Sequence, residues 1–186
     1  MKLNAKDIAL IATFAALIAV SAIAPAIPVG GPVAITLQTF SVLLAGALLG
    51  PLRGFLAVIL YLAVGALGMP IFAGGGAGVA PFFGPSVGYL VAMPFAATLT
   101  GLLVKRLKNR GTPKAGLLIA LFAALATILV IYPLGILGMA WRADLTIAQA
   151  FIANLAFMPG DMIKAALVGI VAAAVHRAFP QLLPKK

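Results

Sequence analysis

The segment "FMPGDMIKAAL", residues 157–167, places two opposite charges among apolar side chains. Asp161 and Lys164 are three positions apart, so on a helix their side chains share one face. Asp161 can accept hydrogen bonds from N–H groups, and Lys164 can donate them to a carbonyl or a carboxylate. The two residues could pair with each other, or they could together bind a small solute that carries both donors and acceptors.

The chain around this pair is far too apolar for a water-soluble domain. It is 64% apolar with a mean hydropathy of +1.21 and 9% charged residues, whereas a soluble domain has about 25% charged residues. Residues 8–52, 54–104 and 115–141 contain no charged side chain and no His. These runs are long enough for spanning helices, which need roughly 20 apolar residues, and they do not alternate as barrel strands do. The composition predicts an all-α integral membrane protein.

Two function classes are disfavoured by the same composition. The net charge of +10 could suggest nucleic acid, but the basic residues cluster where a membrane protein carries them, so no nucleic-acid partner is expected. The chain has no Cys, which excludes disulfides and thiolate metal sites. We expect no cofactor and no bound metal.

The apolar runs predict six transmembrane helices in a single transmembrane domain, residues 1–186. The expected spans are residues 8–26, 33–50, 55–69, 87–104, 115–139 and 159–179. "PAIPVGGP" (25–32) should break the first span, and "GPLRG" (50–54) should form a tight turn. The basic start and apolar run of the first segment also resemble a signal peptide, but we favour an uncleaved span because the run is long.

Local signals add detail to the last two spans. Pro133 should kink the fifth span. Residues 143–158 should form a short amphipathic helix, because "TIAQ" (146–149) has the spacing of a capping box. Pro159 suits the first turn of the sixth span.

Lys and Arg predict the orientation, since cytoplasmic loops are enriched in them. With the N- and C-termini in the cytoplasm and six spans, Arg142 is the only basic residue outside and Lys164 lies within a span. The other eleven fall inside: Lys2, Lys6, Arg53, Lys105, Arg106, Lys108, Arg110, Lys114, Arg177, Lys185 and Lys186. At about 1.5 Å per residue, Asp161 and Lys164 then lie roughly 3 and 8 Å below the outer start of the sixth span.

At that depth the pair is accessible from the outer side of the membrane. An ionisable residue within a span is a functional candidate by default. Two polar residues near the outer ends of their helices, Gln38 and Tyr89, could bind the same ligand or a neighbouring helix. Asn154 is a weaker candidate. These residues predict a substrate site on the outer side.

The connection "PIFAGGGAGVAPFFGPS", residues 70–86, is uncharged although it lies on the wet side. Phe72, Phe82 and Phe83 could cover an apolar part of a ligand, and glycines such as Gly75 would permit close approach and movement. The loop could instead be an interfacial segment without a ligand role.

The first helix carries small residues four apart or nearly so, at Ala5, Ala9, Ala12 and Ala16. Small residues at this spacing let helices approach closely. The face could pack within the protein or dock another membrane subunit.

Four segments resemble the BioY family, the biotin-binding S components of energy-coupling factor transporters. They are "ITLQTFSVLLAGALLGPLRG", "GMPIFAGG", "GPSVGYL" and "PGDMIKAAL", in the family's order between about residues 33 and 170. The resemblance implies a multi-pass protein of the bacterial cytoplasmic membrane, with six helices, an outward-facing biotin site and no enzymatic activity.

The resemblance also implies roles for particular residues. Asp161 and Lys164 would contribute to the biotin site, with the 70–86 loop as a lid. Ala12 and Ala16 would contact the coupling transmembrane subunit, which works with two ATPases. The loop here has no Asn and no basic residue, so Lys164 and Arg142 are the available cations for the biotin carboxylate.

Three other functions are compatible with parts of the pattern. An S component could bind another vitamin, such as thiamine or riboflavin. "PGD" is similar to the glycine-aspartate motif of intramembrane aspartyl proteases, but that chemistry needs two facing carboxylates. A membrane scaffold would not need Asp161 and Lys164 together. The chain has no Walker motif, so ATP-driven uptake would take its ATPases from partners.

Overall fold

A computed structural model describes residues 3–25 and 32–182. Within these ranges every regular element longer than a turn is helical: α1 Ala5–Ile23, α2 Gln38–Leu49, α3 Pro51–Ala66, α4 Val87–Lys105, α5 Pro113–Ala126, α6 Tyr132–Arg142, α7 Ile147–Leu155 and α8 Met158–Ala178. A π-helical turn, Thr127–Ile131, joins α5 to α6. Most of the expected break at 25–32, and the basic residues Lys2, Lys185 and Lys186, lie outside the described residues.

Four helical paths in this part of the chain are long and apolar enough to cross a membrane: α1, α4, the continuous path Pro113–Arg142, and α8. The helices α2 and α3 are also apolar, but they have 12 and 16 residues. The all-α class is therefore confirmed. The second helix begins at Gln38 rather than Val33, and residues 33–36 instead line a pocket described below.

The connection between α2 and α3 is shorter than the sequence predicts. The chain reverses at Gly50, whose φ of +84° favours glycine, and α3 begins at the next residue, Pro51. Arg53 therefore lies in the first turn of α3 rather than in a loop. Its Nη1 is 3.1 Å from Asp7 Oδ1, and its Nε donates to the Leu49 carbonyl at 3.0 Å.

Glycines allow the helices around α2 to approach to backbone contact. A Cβ on Gly46 of α2 would collide with the Ala97 carbonyl of α4, and one on Gly88 of α4 would collide with the Leu134 carbonyl of α6. Close packing through small residues is a principal source of helix association in membranes, where burial of apolar surface contributes little. All of α2 except Thr39 and Phe40 is buried, so α2 forms the centre of the bundle.

Two local signals around the last helices are confirmed, the capping box and the place of Pro159, while the short helix covers Ile147–Leu155 rather than all of 143–158. Thr146 caps α7, its side chain accepting from the Gln149 N–H while the Gln149 side chain accepts from the Thr146 N–H. Pro159 lies in the first turn of α8. The π-helical turn ends just before Pro133, where proline cannot donate the backbone hydrogen bond of a regular helix. This turn presents Ile131 to the pocket.

Candidate functional site

A pocket lies beside the 70–86 loop, among the N-terminal ends of α2, α4 and α8. The pocket has a volume of about 100 Å³. This volume has room for several water molecules. Its walls combine apolar and polar side chains: Val33, Ala34, Ile35, Thr36, Gln38, Thr39, Phe72, Ala73, Pro81, Ser86, Tyr89, Leu90, Met93, Ile131, Phe157, Asp161 and Lys164. We call this end of the molecule the pocket end.

The charged pair of α8 lines this pocket. Lys164 Nζ lies 2.9 Å from Asp161 Oδ1, and both side chains are less than a tenth exposed. Tyr132 of α6 donates its hydroxyl to Asp161 Oδ2 at 3.1 Å. Asp161 also lies in the first turn of α8, where the helix N-terminus favours a negative charge. The two residues therefore pair with each other, and both also line the pocket.

A second polar cluster lies beside the 70–86 loop. Gln38 of α2 donates from Nε2 to the Tyr61 hydroxyl at 3.0 Å and to Met93 Sδ at 3.2 Å. The Tyr61 hydroxyl donates to the Ile71 carbonyl at 3.3 Å. Gln38 thereby connects three helices and the loop while remaining in the pocket wall.

Tyr89 both lines the pocket and binds a neighbouring helix. Its hydroxyl donates to Asn154 Oδ1 of α7 at 2.8 Å, and its ring packs edge-on against Phe157 with centroids 5.9 Å apart. Asn154 itself is buried but does not line the pocket. The side chain of Asn154 therefore holds the Tyr89 hydroxyl from outside the pocket wall.

The 70–86 loop contributes one aromatic ring to the pocket. Phe72 is 2% exposed and packs edge-on against Tyr61 and Phe82, at centroid distances of 5.5 and 5.6 Å. Gly65 of α3 makes room for it, because a Cβ there would enter the Phe72 ring. Phe83 is exposed, and Gly75, with φ +78°, is exposed and does not line the pocket.

Arg142 fastens the far end of this loop. Its Nε donates to the Phe83 carbonyl at 2.6 Å, and its guanidinium lies 5.7 Å from the Phe83 ring centroid and 5.1 Å from that of Trp141. Arg142 does not line the pocket. Lys164 and Arg142 are the two cations expected from the sequence to bind a ligand carboxylate. Lys164 lines the pocket, whereas Arg142 holds the loop against the end of α6.

The small residues proposed for docking lie away from the pocket. Ala12 and Ala16 are exposed on α1, whereas Ile11, Ala15 and Ile18 form its buried face. Within the described residues, the Ala12 face therefore has no helix packed against it.

Sequence reasoning missed Tyr132, Tyr61 and Met93. A usable signal existed: the chain has three tyrosines, and all of them lie in apolar helices. A buried tyrosine hydroxyl usually finds a hydrogen-bond partner, so each tyrosine marks a polar contact. Which partner each one has depends on packing between helices.

The pocket contains a single carboxylate. Asp7 pairs with Arg53 on the far side of the molecule, and Asp144 lies in the turn between α6 and α7. The two facing carboxylates that an aspartyl protease requires are therefore absent from the site.

The fold and this site define a helical membrane protein with a partly polar pocket of a size for a small solute. The BioY family model matches residues 1–181. "Biotin transporter BioY" of Rhizobium etli is 38% identical over 99% of this chain and 100% of its own length. "Biotin transporter BioY" of Rhodobacter capsulatus is 41% identical over 96% of this chain and 97% of its own. A crystal structure described as the S-component for biotin from an ECF-type ABC transporter superposes with a TM-score of 0.87, at 31% identity, covering 95% of both chains. The chain belongs to the BioY family.

Proposed function

We propose that this protein binds biotin in the pocket and acts as the substrate-binding (S) component of an energy-coupling factor transporter in the cytoplasmic membrane. The observation that carries the proposal is the buried Asp161–Lys164 pair in the pocket wall of a chain whose relatives are named biotin transporters. The protein would be a carrier and not an enzyme, taking the energy for uptake from its partners.

The ureido ring of biotin fits the charged pair by its chemistry. It carries two N–H donors and a carbonyl acceptor, which match the acceptor of Asp161 and the donor of Lys164. All of these protein groups already have partners in the structure, so binding would exchange buried hydrogen bonds rather than desolvate exposed groups. The biotin carboxylate would be repelled by Asp161. It would therefore lie toward the loop, where the hydroxyls of Thr36 and Ser86 offer neutral donors.

Biotin methyl ester tests this orientation, because it lacks the carboxylate charge but keeps the ring. If Lys164 binds the ring, Lys164→Met should weaken biotin and its ester by the same factor. A loss confined to biotin would mean that Lys164 binds the carboxylate, and the orientation would be reversed.

Six spans with both termini in the cytoplasm are the arrangement that we propose for the single domain, residues 1–186. The contacts among basic segments support it. Arg53 binds Asp7 and donates to the Leu182 carbonyl at 2.6 Å, and Gly111 packs against Arg177. These segments share one end of the molecule, which we call the basic end, while Arg142 is at the pocket end. The positive-inside rule then makes the basic end cytoplasmic.

The lid and docking roles complete the proposal. The 70–86 loop would open to admit biotin, with Phe72 and Gly75 as part of the moving segment and Gln38 and Tyr89 as fixed walls. Ala12 and Ala16 would receive the coupling transmembrane subunit, which acts with two ATPases. The exposure of the Ala12 face in the described structure supports this role.

Radiolabelled biotin binding to the purified protein in detergent, without ATP, tests the function directly. We expect saturable binding that unlabelled biotin displaces and that excess thiamine or riboflavin does not. Displacement by either of these vitamins at concentrations comparable to biotin would assign a different substrate to the pocket.

A further inference from the structure

Gln38 is a side chain of the pocket wall whose amide has two unlike ends. The NH₂ group only donates hydrogen bonds and the oxygen only accepts them, so the direction of the amide decides which ligand groups it can bind. The side chain begins α2 and is 3% exposed. Two neighbours set its direction, Tyr61 of α3 and Met93 of α4.

The hydrogen bonds of Tyr61 can run in one direction only. Its hydroxyl lies 3.3 Å from the Ile71 carbonyl, and a carbonyl cannot donate, so the single hydroxyl proton is used there. The hydroxyl must therefore accept from Gln38, and the atom that faces it at 3.0 Å is Nε2. The same nitrogen donates to Met93 Sδ at 3.2 Å. Both N–H donors of Gln38 are thereby occupied.

The oxygen of this amide is left for the pocket. Among the described residues, no donor reaches Gln38 Oε1, whereas every fully enclosed side-chain nitrogen or oxygen in that part of the chain has a partner. Oε1 is therefore not enclosed, and it can be reached from the pocket that Gln38 lines. The hydroxyls of Thr36 and Ser86 rotate to suit donors and acceptors alike, but a fixed amide oxygen accepts only. Gln38 can therefore distinguish a ligand donor from a ligand acceptor.

Tyr61 is itself held firmly outside the pocket lining. It is 1% exposed, and its ring packs edge-on against Phe72 with centroids 5.5 Å apart. One turn further along α3, the Gly65 carbonyl accepts the N–H of Gly78 at 2.8 Å. The first half of the 70–86 loop is thus attached to α3 on both sides of Phe72. These contacts keep the Ile71 carbonyl where it takes the hydroxyl proton of Tyr61.

We propose that Tyr61 is a positioning residue of the ligand site, which turns the Gln38 oxygen toward the pocket so that Gln38 accepts an N–H of the ligand. The inference rests on the proposed function, in which biotin occupies the pocket. Asp161 and Lys164 can bind one N–H and the carbonyl of the ureido ring, and the second N–H then requires an acceptor. Gln38 Oε1 supplies it from another wall of the same pocket of about 100 Å³.

Two cyclic carbamate analogues of biotin test this inference, because in each of them a ring oxygen replaces one ureido N–H with little change in shape. One isomer places its ring oxygen at Gln38, and the other places it at Asp161. We expect the wild type to bind the Gln38-facing isomer about 5- to 150-fold more weakly than biotin, since it leaves a buried acceptor unpaired. Gln38→Met removes the amide at similar length and should bind that isomer and biotin about equally, which also identifies the isomer.

Tyr61→Phe tests the positioning role, because it keeps the ring against Phe72 and removes the hydroxyl. The Gln38 amide is then free to turn its NH₂ group toward the ring oxygen. Discrimination against the Gln38-facing isomer should therefore fall by about 5-fold or more, toward the value of Gln38→Met. Discrimination against the Asp161-facing isomer should stay at the wild-type value in both variants.

Tyr89→Phe is the matched control, since it removes a buried hydroxyl that binds Asn154 and not Gln38. Whatever its affinity for biotin, it should keep the wild-type ratio between biotin and the Gln38-facing isomer. Gel filtration and helical circular dichroism at wild-type values show that each variant is folded.

Equal weakening of biotin and both isomers by Tyr61→Phe would make Tyr61 a structural residue only and would overturn the inference. Wild-type ratios for both isomers in Gln38→Met would also overturn it, because the Gln38 oxygen would then not face the ring. Both results would leave biotin binding by the wild type intact. A wild type that binds no biotin would instead refute the proposed function, and this inference with it.

Discussion

The Asp161–Lys164 pair allows stability and ligand binding to be separated experimentally. Three variants are needed: Asp161→Asn and Lys164→Met, each close in size to the original side chain, and the double variant. Each single variant leaves one charge buried without its partner, while the double variant leaves none. The biotin site loses at least one of its charges in all three.

The structure sets the expected magnitudes. The two side chains are 7% and 8% exposed and their charged atoms are 2.9 Å apart, so removing either partner should cost about 3–5 kcal/mol of stability. The double variant should be close to wild type in stability, because replacing both buried charges is often neutral. The amide that replaces the Asp161 carboxylate can still accept the Tyr132 hydroxyl bond. The double variant should nevertheless bind biotin at least about 1–3 kcal/mol more weakly, which is about 5- to 150-fold in Kd.

Unfolding in a detergent titration and radiolabelled biotin binding give the two readouts for all four proteins. A double-mutant cycle on the unfolding free energies isolates the coupling between the residues. Additive losses of stability would mean that the pair is not energetically coupled, contrary to its geometry. Wild-type biotin affinity in the double variant would show that the pair is structural only and would refute its assignment to the site.

Three further changes address docking, the lid and packing. Ala12→Leu should preserve biotin binding but reduce recovery of the coupling subunit in co-purification, because a larger side chain separates backbones that small residues let approach. Arg142→Gln should remove the bond and ring contact that hold Phe83, so backbone amides of residues 72–84 should exchange faster by mass spectrometry, and biotin should slow them in both proteins. Gly46→Ala should lower the unfolding midpoint strongly, because its Cβ would collide with the Ala97 carbonyl and the two helices would have to separate.

Each change has a matched control elsewhere in the chain. Ala63→Leu places the same bulk on an exposed face of α3, and Arg106→Gln removes a cation at the basic end. Gly84→Ala adds a methyl group where the nearest atom is 3.8 Å away. Equal loss of the coupling subunit in the Ala63 variant would contradict the docking prediction. Unchanged amide exchange in the Arg142 variant would contradict the prediction for the loop. Equal unfolding midpoints for the two glycine variants would contradict the packing prediction.

Much of the site could be anticipated because its main features are local. The three-residue separation of Asp161 and Lys164 is enough to put them on one helix face. The capping box of Thr146 and Gln149 likewise depends on a spacing within one turn. The apolar runs around these residues then require a membrane environment, since so few charges cannot cover a soluble surface.

Contacts between distant segments could not be anticipated in the same way. Tyr132 is 29 positions from its partner Asp161, and Arg142 is 59 positions from Phe83. Whether such residues meet depends on how each helix is rotated about its axis, and nearly uniform apolar helices carry little information about rotation. The three phenylalanines of the 70–86 loop are chemically alike, yet Phe72 alone lines the pocket, because Gly65 leaves space beneath it.

By itself, the sequence determined that the protein is helical and membrane-embedded and that Asp161 and Lys164 form a unit, because hydropathy and helical period act over one or two turns. Only the tertiary structure decided what surrounds that unit. The Tyr132 hydroxyl binds Asp161, and Gln38 binds Tyr61 and Met93 in the pocket wall. Arg142 binds the 70–86 loop and does not line the pocket. These arrangements depend on where glycines let helix backbones touch, as Gly46 does with Ala97 and Gly116 with Gly169. Such a contact depends on two segments that are distant in the sequence, so neither segment predicts it alone.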